Sequence, residues 1–187
     1  MTKMLAGALI MAVGLVTWGA VSGHPGHSAT SVGPTATHTP ATVPASDQAR
    51  FRPVLQGPVR TCLRLVPRVQ AEARTLQDNL DKTNGSPDTG TLLDDAHTLG
   101  YTCVRAETLV LALRFPPGRA HDLARRAQRV LAQALWTITS GADCAGSAVD
   151  LTESDIDWSL NKHLVQCTEP FQTGHAQLRT ARALLHF

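Results

Sequence analysis

Four cysteines, Cys62, Cys103, Cys144 and Cys167, are the residues of this chain best placed for covalent chemistry. Their number is even and none has the close C-x-x-C spacing of a zinc or redox site, so two disulfides are expected in an oxidising compartment. Histidine supplies the other candidate chemistry. His163 stands four residues before Cys167, on the same face of a helix, and His24 and His27 flank Pro25-Gly26, with His38 further on. An i,i+4 His/Cys pair and a short histidine tract can each ligate copper or zinc. Cys167 is available as a ligand only if its sulfur is not in a disulfide.

Other polar combinations carry less. Asp94, Asp95 and His97 lie together, but two carboxylates in the first turn of a helix are explained by the partial positive charge there. A carboxylate-bridged metal centre inside a helical bundle needs inward glutamates and Glu-x-x-His repeats; Glu72, Glu107, Glu153 and Glu169 show no such pattern. The sequence has no nucleophile elbow and no glycine-rich phosphate loop, so no catalytic residue and no cofactor site is assigned. Arg119, Arg125, Arg126 and Arg129 read as a solvated helix face, and Trp136 and Trp158 as packing in the core or at a bundle end.

The compartment is written at the N-terminus. Residues 4–21 are apolar except for Thr17, Lys3 is the only charge before them, and no acidic residue occurs until Asp47. This is the pattern of an export segment. Its length lies between a signal-peptide core and a membrane span, and Ala20, Ser22 and Gly23 resemble a peptidase site, so residues 1–22 are either a signal peptide or a single transmembrane anchor. Both place the remainder outside the cytoplasm, secreted or tethered to the outer face of the cytoplasmic membrane. Without Lys3 the 17 basic residues fall to 16, against 15 acidic. That near balance leaves no electrostatic footprint for nucleic acid. Arginine outnumbers lysine by 14 to 3, a bias that fits a GC-rich bacterial genome.

Residues 23–46 contain Pro, Thr, Ser, Ala, Gly, Val and His, with no charged side chain at neutral pH and no apolar period. Such a segment cannot bury a core and reads as a disordered stalk. At about 3.1 Å per residue it reaches on the order of 70 Å when extended.

Residues 47–187 read as a helical domain. Leu55, Val59, Cys62, Val66, Val69, Ala73, Leu76 and Leu80 recur at alternating steps of four and three, as do Leu92, Ala96, Leu99, Cys103, Ala106, Val110 and Leu113. A third seam, Ala120, Ala124, Ala127, Leu131, Ala134 and Ile138, is small-residued and widened by Leu123, Val130 and Leu135. The fourth is Leu160, Leu164, Cys167, Phe171, Gly174, Leu178, Ala181 and Leu185. Four apolar stripes of this period predict an all-α, up-down four-helix bundle. Asn84-Gly85-Ser86-Pro87 and Pro116-Pro117-Gly118 mark turns, and Gly141 reads as the stop of the third helix, which leaves Cys144 in a loop. Thr91 with Asp94, and Ser154 with Asp157, read as helix starts. Pro53 and Pro58 suit a first turn, whereas Pro67 and Pro170 interrupt periodic segments and predict kinks.

Three pairings of the cysteines are possible. In an up-down hairpin Cys62 lies about 18 residues from the first turn and Cys103 about 12, an offset of roughly 9 Å that loop slack absorbs. That favours Cys62 with Cys103, and Cys144 with Cys167. The rival, Cys62 with Cys167 and Cys103 with Cys144, also joins adjacent helices. Pairing Cys103 with Cys167 crosses the bundle diagonal, beyond the roughly 7 Å Cα limit. The functional expectation is a non-catalytic exported or membrane-anchored envelope protein whose bundle serves an envelope protein partner or a structural role. The alternative is an extracytoplasmic copper- or zinc-binding protein using His24, His27 and His163.

Overall fold

The computed structural model describes residues 41–80, 89–150 and 158–187, all helical apart from short connections, with no strand among them. Helix α1, Ala45–Val54, runs through a single wide π turn, Leu55–Val59, into α2, Arg60–Leu80. Helix α3 is Gly90–Leu111, and a 3-10 turn, Arg119–His121, leads into α4, Asp122–Asp150. Helix α5, Trp158–Leu185, closes the chain's up-down path. Because α1 and α2 form one continuous rod, the architecture is a four-helix bundle. Helix α4 packs along both α3 and α5, α2 lies on α3, and α2 meets α5 more sparsely.

The seams explain the packing. Val59, Cys62, Val66, Val69 and Leu76 of the first rod are buried, as are all eight fourth-seam positions from Leu160 to Leu185. One disulfide joins Cys62 to Cys103, α2 to α3, with Cα atoms 4.9 Å apart. The other joins Cys144 to Cys167, α4 to α5, at 5.5 Å. This is the pairing that the hairpin geometry favours.

The structure corrects the third helix. Gly141 does not stop it, and Cys144 lies on α4 rather than in a loop. The apolar spacing continues past Ile138 as Ala142, Ala145 and Val149, all buried. The glycine serves packing, because a β-carbon there would lie 3.1 Å from the ring of Phe171 on α5. Close helix approach, not termination, is what its missing side chain provides.

The start of the domain also moves. Residues 43–46, assigned to the stalk, belong to the bundle: Val43 is buried, its N–H donates to the Leu184 carbonyl at 3.0 Å, and Gln48 Nε2 donates back to the Val43 carbonyl at 2.8 Å. Thr91 does not cap α3, which begins at Gly90 after Thr89 with no side-chain cap. Pro67 and Pro170 lie inside helices that continue through them. The irregular turn is instead at Pro58, which has no N–H to donate. There the Arg60 N–H reaches the Leu55 carbonyl, five residues back. Eight residues of α-helix would carry Phe51 roughly 80° out of line with Val59; the wider turn absorbs about one residue. Both side chains are therefore fully buried on one face. Residues 1–40, the turn at 84–87 and the Ser154/Asp157 pair lie outside the described residues.

Candidate functional site

Of the metal candidates, His24 and His27 lie outside the described residues. His163 is exposed on α5 one turn before Cys167, whose sulfur is bonded to Cys144. Among the described residues no group of three or more His, Cys, Asp or Glu side chains is placed to hold a metal ion.

Two polar clusters not foreseen from the sequence tie elements together. Asp47, in the first turn of α1, is 2% exposed, and its Oδ2 lies 2.8 Å from His121 Nδ1 in the turn before α4. An imidazole held by a buried carboxylate is a component of general-base catalysis. No hydroxyl or thiol bonds to this imidazole among the described residues. What the pair does is join two segments 74 residues apart.

Between α2 and α3, Arg68 Nε bonds Glu72 Oε1 at 3.1 Å and pairs with Asp95. Burial, and then the neighbouring Asp95 carboxyl, lift the Glu72 carboxyl above its ordinary value. Asp95 is thus more than a helix-start charge: it meets α2.

The connection from α3 to α4 is held by side chains. Gln128 Nε2 donates to the carbonyls of Val110, Leu111 and Leu113 at 2.8, 3.2 and 3.0 Å, covering the open end of α3. Arg125 donates to the carbonyls of Pro116 and Gly118 at 2.6 and 2.9 Å, and to Asp122 Oδ1. Arg50 adds a bond to the Arg114 carbonyl, while Phe51 stacks on Phe115 at 5.2 Å. Arg125, grouped with a solvated face from its sequence neighbours, is therefore a loop clamp. Gly118, at φ 123°, occupies backbone space that side chains disfavour.

The surface feature that packing does not explain is on the outer side of α3 and α4. Trp136 is 54% exposed in mid-α4, rather than in the core or at a bundle end. Across a shallow groove of about 410 Å³ it faces Leu111 and Glu107 of α3, with Arg129, Ala132 and Gln133 on its own helix. Leu111 is 50% exposed, and Val104 and Tyr101, further along α3, are 42% and 73% exposed. Burial lifts the Glu107 carboxyl above its ordinary value, so the acid that lines the groove among the described residues sits in a partly dehydrated place. The signal was present in the sequence as a spacing of three and four from Tyr101 through Val104 and Thr108 to Leu111, one or two positions out from the buried seam.

A second, smaller cavity of about 120 Å³ lies between α2 and α5 beside Cys167. Its floor is Ala73, Ala145, Leu164 and Phe171, and its rim is Gln70, Gln77, Gln172 and Arg74. Comparison with family models, curated proteins and solved structures finds no match for this chain.

Proposed function

We propose that the chain is a non-catalytic cell-envelope protein, secreted or tethered outside the cytoplasmic membrane, which presents a disulfide-stapled helical bundle to a protein partner. The observation that carries this reading is the exposed Trp136 on the α3/α4 face, with Leu111, Val104 and Tyr101 beside it. A solvent-facing indole among exposed apolar neighbours is unfavourable in an isolated protein and characteristic of interface centres. Disulfides joining α2 to α3 and α4 to α5 favour an oxidising location and keep such a face rigid.

Site-specific photo-crosslinking in the producing cell tests it. A benzoylphenylalanine at position 136 should give a discrete protein adduct that the same probe at exposed Gln166 on α5 does not. No adduct, or equal adducts at both positions, overturns the reading.

A further inference from the structure

A groove distinct from the α3/α4 face runs along the outside of the first rod, where the π turn passes into α2. Leu55 and Leu63, eight apart, form its apolar side with Phe187, over the fully buried Val59. Three guanidinium groups surround it: Arg60 and Arg64, one turn apart on α2, and Arg182 of α5. Among the described residues no acidic side chain lines it. Its volume, about 350 Å³, falls in the range of roughly 300–1,000 Å³ typical of small-molecule sites.

Among the described residues none of Arg60, Arg64 and Arg182 has a carboxylate within ion-pair distance, although Arg68, one turn further on, is bonded to Glu72 and paired with Asp95. Arg182 lies 5.7 Å from the centre of the Phe187 ring, which fixes a cation at the apolar wall. Three positive groups within one groove repel each other, and an anion relieves that repulsion. Guanidinium presents paired donors to a carboxylate or phosphate. The π turn contributes as well. By bringing Phe51 and Val59 onto one buried face it sets where Leu55 and Gln56 emerge at the groove, and such turns recur at functional sites.

We infer that this groove binds an anionic amphiphile, with the carboxylate or phosphate head held by Arg60, Arg64 and Arg182 and a short hydrocarbon tail laid against Leu55, Leu63 and Phe187. The occupant needs both parts. A bare anion leaves the apolar wall wet, and an uncharged chain leaves three cations facing one another.

The experiment follows the methyl resonances of Leu55, Val59 and Leu63 in the full chain, held in zwitterionic nanodiscs, during titration with decanoate. Saturable shifts confined to these methyls are expected, with decanol and inorganic phosphate each at least 10-fold weaker. The R64Q/R182Q variant should lose at least 10-fold in affinity while the methyl signals of buried Leu99 and Leu131 stay in place, which shows that the fold is kept. No saturation at millimolar decanoate, or unchanged affinity in the variant, overturns the inference. So does phosphate binding as tightly as decanoate, which would mark a simple anion site. Shifts that arise only on adding anionic lipid to the nanodisc, and not with decanoate, overturn it in favour of a bilayer surface.

Discussion

A β-carbon on Gly174 would lie 2.7 Å from Cγ1 of Ile138, and 3.3 Å from the carbonyl oxygen of Ala134. Helices α4 and α5 are that close because position 174 carries no side chain. Gly174→Ala should therefore destabilise the bundle by about 1–3 kcal/mol through overpacking, outweighing the roughly 1 kcal/mol that alanine gains over glycine within a helix. Gly57→Ala is the control. Nothing lies within 4 Å of its added carbon, so stability should stay level or rise. Urea midpoints of the two variants check the pair; a Gly174→Ala protein as stable as the parent contradicts the close approach.

Removal of the imidazole of His121 leaves Oδ2 of the buried Asp47 side chain without its hydrogen-bond partner. His121→Ala is expected to cost about 1–3 kcal/mol, the usual penalty for stranding a buried polar group. A double-mutant cycle with Asp47→Ala isolates the pair. Coupling of at least about 0.5 kcal/mol marks a direct interaction, and additive effects would contradict it.

The raised Glu72 carboxyl gives a pH signature with a defined sign. Its folded-state value lies above the ordinary 4.5 because burial and the neighbouring Asp95 carboxyl favour the protonated form. The contribution of this group is thus fully present below pH 4.5 and is lost as pH rises through the folded-state value. Glu72→Gln, which stays neutral, should lose this dependence and gain stability relative to the parent above that window. Denaturation curves from pH 4 to 7 test it, and parallel pH profiles for the two proteins contradict it.

Each disulfide should stabilise by about 2–4 kcal/mol. The sequence separation is 41 residues for Cys62 with Cys103 and 23 for Cys144 with Cys167. The longer loop should give the larger effect by about 0.5 kcal/mol from chain entropy. Paired Cys→Ser variants, unfolded in urea, measure both; a reversed order would show that native-state packing around the cysteines outweighs the entropy difference.

The repeating steps of three and four were enough to read the helices and most of their buried faces, since one apolar stripe per rod admits few ways of closing a core. Cysteine spacing within two hairpins was enough to favour the disulfides. Gly141 misled because a glycine that ends a helix and one that admits a neighbouring Phe ring are the same letter; the buried Ala142, Ala145 and Val149 beyond it carried the correct message. Trp136, Arg125 and the pair Asp47/His121 were illegible for a different reason. Their roles depend on segments distant in sequence, and exposure or partnership of a polar or aromatic side chain is decided only when those segments meet. The arginine groove has the same origin: Arg60 and Arg64 are neighbours on one helix, but Arg182 joins them through the fold.

Both sulfur bridges stay within hairpins, and this sets how the chain tolerates being cut. A protease that cleaves between Cys62 and Cys103, or between Cys144 and Cys167, produces two peptides that remain one covalent molecule. A cut between Cys103 and Cys144 separates the protein into halves with nothing covalent between them. That stretch holds the Pro116-Pro117-Gly118 connection, the one fastened by Arg125, Gln128 and Arg50. Those side-chain clamps guard the one inter-helix connection that neither disulfide spans.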